Sequence, residues 1–217
     1  MGTALVIGGT GLVGSSLIDL LIGDSRIGKV ISFVRRPSGT AHEKLEEQVV
    51  NFDEPATWQH LVKGDILLST LGTTLKQAGG KDAQYKVDYT YQYEFAEAAA
   101  KNQVPSYVLV SSSGANPNSA IFYPRMKGEL EREIKKLPFR RISILQPSLI
   151  TGKRKEKRTG EELGYHVLRG MNSLGLLKKY RPIDGATVAR AMIEAGLNQE
   201  PGVHTYALDE LFLPGRF

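Results

Sequence analysis

An α/β fold is predicted from this sequence: a doubly wound parallel sheet with helices on both faces and a small carboxyl-terminal cap. Three observations carry that prediction. Short, nearly continuous apolar runs alternate with amphipathic stretches along most of the chain, as strands buried on both faces do when crossover helices join them. The first of these runs ends in a glycine cluster that opens a helix. The 217 residues are 41% hydrophobic and 24% charged with no cysteine, a globular composition long enough to bury a core without disulfide staples. That length suits one domain over 1–217, with 153–217 supplying the cap.

The elements follow in order. Ala4–Ile7 is the first strand, and Leu12 to Ile22 reads as a helix with apolar Leu12, Val13, Leu17, Leu20 and Leu21 near helical spacing. Val30–Val34, rich in β-branched residues, is the second strand, halted by Arg35-Arg36-Pro37. Val49–Asp53 is a short third. A weak helix carrying Trp58 and Leu61 leads to the fourth, Asp65–Ser69. A long helix over about 81–102 then repeats Val87, Tyr91, Phe95 and Ala99 every fourth position, one buried stripe. Tyr85, Tyr89, Tyr91 and Tyr93 on it read as helix packing. Tyr107–Ser111 and Arg141–Gln146 are the fifth and sixth strands, with a helix from about Pro124 to Leu137 between them. Beyond Pro147 come helices near 161–171 and 186–197 and a last strand at 203–206. Right-handed crossovers make the doubly wound order the leading topology.

Several function classes drop out. No apolar run reaches the roughly 18 residues of a membrane span. Met1 to Val6 run into a strand with no charged leader, and Val6 stands where a myristoylation signal needs Ser or Thr. A cytoplasmic location is therefore expected. Without cysteine there is no thiol nucleophile and no zinc–thiolate site, and the four histidines fall in no motif. The net charge of +5 gathers partly in 153–158 and 178–181. The first cluster carries an internal Glu and lacks interleaved aromatics, so both read as a solvated or ligand-rim face and no nucleic-acid partner is expected.

The chemistry begins at Gly8-Gly9-Thr10-Gly11-Leu12-Val13-Gly14, a G-x-x-G-x-x-G following a strand and opening a helix. In that context Gly8 permits the sharp turn, Gly11 lets backbone approach a pyrophosphate, and Gly14 lets helix pack on strand. The helix N-terminus offers free N–H groups to the phosphates. NAD-binding folds end the second strand in Asp or Glu, whereas this chain has Arg35 and Arg36. An arginine there can bond the 2′-phosphate of NADP. One or two such bonds are worth about 1.5–3 kcal/mol each, at least a roughly tenfold preference. NADP(H) is the expected cofactor.

Of nine tyrosines only Tyr123 has a lysine four residues on, Lys127. The pattern is common by chance, and its placement gives it weight: it opens the helix after the fifth strand, which ends in Ser111-Ser112-Ser113. Residues four apart share a helix face, so both side chains can meet one ligand. Hydride transfer to a carbonyl needs a proton donor, and a neighbouring ammonium favours the phenolate of a phenol whose ordinary pKa is about 10. Pro124 is expected at the first helical position, which would leave Tyr123 at the N-cap.

With these motifs in this order, the chain resembles the short-chain dehydrogenase/reductase superfamily. Within it, the chain is similar to the atypical group of NAD(P)-binding proteins like the Tat-interacting tumour-suppressor oxidoreductase. The likeness includes Val34-Arg35-Arg36, Asn51-Phe52-Asp53, Leu71-Gly72-Thr73-Thr74, Val87-Asp88, Val110 to Asn116, Lys127 to Glu131 and residues 154–161. It implies a Rossmann-like sheet with NADP(H) along its carboxyl edge. It also implies Tyr123 as acid/base, Lys127 on the nicotinamide ribose, and Ser112 or its neighbour Ser111 positioning substrate. Asp53 would lie near the adenine, Leu71, Gly72 and Thr73 along the cofactor, and Pro147 beside the nicotinamide. Read without the resemblance, Asp53 equally suits a turn or cap before Pro55. The resemblance admits a homodimer through the tyrosine-rich helix. The expected function is an oxidoreductase acting on a small carbonyl or alcohol of unknown identity. The alternative is an NADP(H)-binding redox sensor without turnover.

Overall fold

Seven parallel strands form one sheet in the computed structural model, which describes residues 1–152 and 180–212. The strands in chain order are β1 (Gly2–Ile7), β2 (Ile27–Val34), β3 (Leu45–Val49), β4 (Ile66–Ser69), β5 (Ser106–Val110), β6 (Arg141–Gln146), β7 (Ile150–Thr151), β8 (Ile183–Asp184) and β9 (Gly202–Ala207). Their order in the sheet is β3-β2-β1-β4-β5-β6-β9, and β7 pairs separately with β8. The helices are α1 (Leu12–Gly23), α2 (Pro55–Trp58), α3 (Leu75–Ala78), α4 (Lys81–Tyr85), α5 (Tyr91–Lys101), α6 (Phe122–Ile134) and α7 (Gly185–Asn198). This is the Rossmann-like fold the sequence predicts.

Alternate residues of each strand feed opposite core layers, as the two-residue period of a strand requires. Ala4, Val6, Ile66, Leu68 and Val108 pack with Leu17 and Leu21 of α1 and Val188 and Met192 of α7. Leu5, Ile7, Leu67, Tyr107 and Leu109 pack on the other face with Phe95 and Ala99 of α5 and Leu130 and Ile134 of α6. Trp58 closes that second layer. Its ring stacks on Phe95 with centroids 3.9 Å apart, and its indole N–H donates to the Asn51 carbonyl at 2.9 Å. The sheet order reverses between β1 and β4, where the two neighbouring crossovers run to opposite sides and leave a cleft at the carboxyl ends.

Some boundaries differ from expectation. The third strand is Leu45–Val49, pairing Val30 with Leu45 and Val34 with Val49, and not 49–53. It is a half-exposed edge strand with a polar Glu46-Glu47-Gln48 centre, so apolar continuity misplaces it. Phe52 instead reaches the core from the loop beyond. In the tail expected to form a cap, α7 packs against the sheet and β9 extends it, pairing with β6 from Gly202 to Ala207. The basic clusters at 153–158 and 178–179, the helix expected near 161–171 and the rest of the cap lie outside the described residues. No helix among the described residues is long and apolar enough to cross a membrane.

Candidate cofactor and active site

The glycine turn is shaped by steric necessity. Gly8 has φ +81°, and a Cβ there would stand 2.6 Å from the Leu71 amide nitrogen. A Cβ on Gly14 would stand 2.1 Å from the Gly8 carbonyl oxygen. Between them the Gly11 N–H donates to the Gly8 carbonyl at 2.9 Å. Gly11 is the N-cap of α1, with no side chain covering the helix end and no acidic residue in its first turn. The first amides of α1 therefore stay available to an anion.

A cavity of about 750 Å³ opens from this helix end. Gly9, Thr10, Gly11, Leu12 and Val13 line one side, Leu71, Gly72 and Thr73 the middle, and Tyr123 and Lys127 the far part. Its size and this backbone cradle fit a nicotinamide dinucleotide. Gly8 and Gly14 shape the turn without lining the cavity. Arg35 and Arg36 are exposed at the end of β2 and do not line it, whereas Asp19 and Glu47 do. Asp53 also stands outside. Its Oδ1 accepts from Lys86 Nζ at 2.6 Å and from the Tyr91 hydroxyl at 2.5 Å. Those two bonds, Lys86 first, hold its carboxyl below the ordinary aspartate value.

Tyr123 is 38% exposed, and the Lys127 ammonium lies 5.9 Å from its ring centroid. The helix starts earlier than expected: Ile121 is the N-cap, so Tyr123 is the second residue of α6 and not its cap. Pro124 is tolerated because its missing N–H would be unpaired in a first turn anyway. The Pro124 carbonyl accepts the Asn116 N–H at 2.9 Å, and Gly128 lets that loop press on the helix.

The three serines are not equivalent. Ser111 lines the cavity, is buried, and donates its hydroxyl hydrogen to Glu131 Oε1 at 2.5 Å. Ser112 is half-buried, donates to the Ser113 carbonyl at 3.3 Å, and does not line the cavity. Pro147 is buried behind them, its carbonyl accepting the Ser113 N–H at 3.0 Å.

The structure also gathers polar groups that sequence reasoning left unassigned. The Lys127 ammonium sits 3.1 Å from Asp88 Oδ1, the two side chains 3% and 1% exposed. Burial presses the Lys127 pKa down, but the charges of Asp88, Tyr123 and Glu131 outweigh it, and the net direction is upward. Glu131 is buried and also accepts from Gln146 Nε2 at 2.9 and 3.0 Å. A signal was present in the letters. Positions 84, 88, 92, 96 and 100 are all buried, a row at four-residue spacing whose first three members are Gln, Asp and Gln. Glu131 likewise follows Lys127 by one helical turn on the same face.

Comparison with known proteins gives the family and the fold. A family model described as NAD(P)H-binding matches residues 8–162. Protein fmp52, mitochondrial, of Aspergillus niger is 36% identical over 206 residues, covering 91% of this chain and 88% of the relative. Among solved structures, the Bordetella bronchiseptica enzyme WbmH in complex with NAD+ superposes with a TM-score of 0.72 at 16% identity, over 95% of this chain and 75% of that one. A short-chain dehydrogenase/reductase superfamily protein from Agrobacterium tumefaciens with bound NAD gives 0.71 at 17% identity, over 95% and 77%. The expectation of a cytoplasmic location is corrected here, because the fungal relative is named as mitochondrial. A targeting address need not show in composition or in a strand-like opening, the two features on which that expectation rested.

Proposed function

This chain belongs to the NAD(P)H-binding family and fits the atypical short-chain dehydrogenase/reductase pattern, and from that premise we propose that it is an NADP(H)-dependent oxidoreductase of a small carbonyl or alcohol. The observation that carries the reading is the placement of Tyr123 and Lys127 on the wall of the same cavity that opens at the glycine-capped end of α1. Gly9 to Val13 and Leu71 to Thr73 would hold a nicotinamide dinucleotide, which when bound and reduced would provide the hydride for a carbonyl carbon. The chain's own residues do the rest. Gly9 to Val13 and the N–H groups of α1 seat the pyrophosphate, and Leu71 to Thr73 flank the dinucleotide. Lys127 holds positive charge beside the ribose and beside Tyr123. The Tyr123 hydroxyl gives its proton to the substrate oxygen as charge develops on it. Ser112 or Ser111 would orient that oxygen. Arg35 and Arg36, exposed beside the end of β2, support NADP over NAD by bonding the 2′-phosphate. The mitochondrial name of the fungal relative supports the same address for this chain.

The test is NADPH consumption by the purified protein across a panel of aldehydes and ketones. Tyr123→Phe is expected to lower kcat by about 100-fold or more while NADPH binding stays within a few-fold. Retained turnover in that variant would overturn the assignment of Tyr123. A second reading, an NADP(H) sensor without turnover, is favoured by one observation: Ser111, the serine that lines the cavity, already donates its hydroxyl hydrogen to Glu131. Tight NADPH binding with no turnover on any carbonyl would select it.

A further inference from the structure

We infer that Asp88 is the positioning residue of this site, its carboxylate joining Lys127 to the Leu71–Thr73 loop and so holding the ammonium charged at the cavity wall. The inference deepens the Tyr123–Lys127 reading and rests on it for the role of Lys127.

The placement starts with the backbone. Helices α4 and α5 are one continuous rod broken by a π-turn over Lys86–Thr90. Such turns insert a residue and re-aim a side chain. Here the residue is Asp88, whose carbonyl accepts the Gln92 side-chain amide at 2.7 Å. The Asp88 carboxylate then has two partners on two different elements. Oδ1 meets Lys127 Nζ of α6 at 3.1 Å, and Oδ2 accepts the Thr73 backbone N–H at 2.8 Å. Gln84, one turn earlier, donates to the Thr73 carbonyl at 3.1 Å. A Cβ on Gly72 would come within 3.2 Å of Asp88 Oδ1, so the loop lies directly against the carboxylate.

A buried ammonium without a counter-ion sheds its proton. The charged and titratable groups facing Lys127 among the described residues are Asp88 from the π-turn and Tyr123 and Glu131 from α6, and Glu131 is already engaged with Ser111 and Gln146. Among the described residues, Asp88 is the carboxylate in contact with the ammonium. The same carboxylate holds the Thr73 amide, so Asp88 ties the ammonium to a loop that lines the cavity.

Asp88→Asn tests this with shape preserved. An asparagine can accept the Thr73 N–H, but its NH2 group then faces the ammonium, donor against donor. The readout is the Lys127 Nζ resonance in ¹³C/¹⁵N-labelled protein, titrated without cofactor. In the unmutated protein Lys127 is expected to stay charged past pH 10. In Asp88→Asn its pKa is expected to fall by about two units or more. NADPH dissociation constants supply the second readout. Since Lys127 loses its charge as pH rises through the lowered pKa, the variant's loss of affinity is expected to grow from pH 6 to pH 9. It should vanish in a Lys127→Met background, where Asp88 has nothing to position. An unmutated Lys127 that titrates below pH 10 overturns the inference even if the variant does not fold. So does an unshifted Lys127 in Asp88→Asn, or a pH-independent loss that persists in Lys127→Met, which is what a merely structural aspartate gives. Failure of the unmutated protein to bind NADPH or NADH would instead sink the proposed function, while the Nζ titration still decides the role of Asp88.

Discussion

Gly8, Gly14 and Lys127 show three degrees to which a single letter discloses its role. The two glycines are legible because no other residue fits: each Cβ would overlap backbone atoms brought there by the turn itself, at 2.6 and 2.1 Å. Lys127 is legible as a partner of Tyr123 because a helix fixes the four-residue spacing. Its other partner, Asp88, lies 39 positions earlier on a different helix, and only the packing of the two helices makes them neighbours. Glu131 meets Ser111 and Gln146 in the same way, across 20 and 15 residues. Buried charges are rare enough that a sequence reading assigns such residues to the surface by default. Arg35 is the converse case, its charge plain in the sequence while its side chain stands exposed and off the cavity wall. Arg35→Ala is expected to weaken NADPH binding about tenfold and NADH binding little, measured by calorimetry. Equal losses for both cofactors would remove the 2′-phosphate role.

At the scale of elements, the strongly apolar strands and the long helices among the described residues are legible in the sequence in kind and nearly in extent. β3 was misplaced because an edge strand need not be apolar. The start of α6 lies earlier than the expected Pro124 because a proline in the first turn gives up no intrahelical bond, and the bias against helix before it does not exclude Tyr123 from the helix. The π-turn has no letter pattern of its own. It is held by Gln92, whose amide meets the Asp88 carbonyl while its oxygen accepts from Ser69 at 2.6 Å. One element gives a direct energetic test. Asp184 caps α7, Oδ1 accepting the Thr187 N–H at 2.9 Å and Oδ2 the Thr187 hydroxyl at 2.5 Å. The Thr187 hydroxyl, and after it the backbone amides, hold the Asp184 carboxyl below its ordinary pKa. Asp184→Ala is expected to cost about 1 kcal/mol at pH 7 in urea unfolding. Because the folded pKa is depressed, that contribution is present above the unfolded value of about 3.9 and is lost as pH falls through the folded one. The gap between the two proteins should therefore narrow toward pH 3, and a gap that widens there would refute the cap.

At the scale of the whole molecule, alternation of strand and helix was enough to specify a doubly wound sheet, and the sheet order specifies where a ligand goes. β1 and β4 are neighbours whose following segments depart to opposite faces, so their carboxyl ends cannot be closed by one crossover. The glycine turn after β1 and the Leu71–Thr73 loop after β4 become the walls of the cleft, and α6 brings Tyr123 and Lys127 to its far end. The described carboxyl-terminal residues reinforce this frame, adding β9 beside β6 and α7 beside α1. This cleft is the proposed NADP(H) site. Isothermal titration of the purified protein with NADPH and NADH, side by side, tests it most directly. The expected result is one NADPH per chain, with NADH weaker by about tenfold or more. Heat of binding from neither cofactor would contradict the claim.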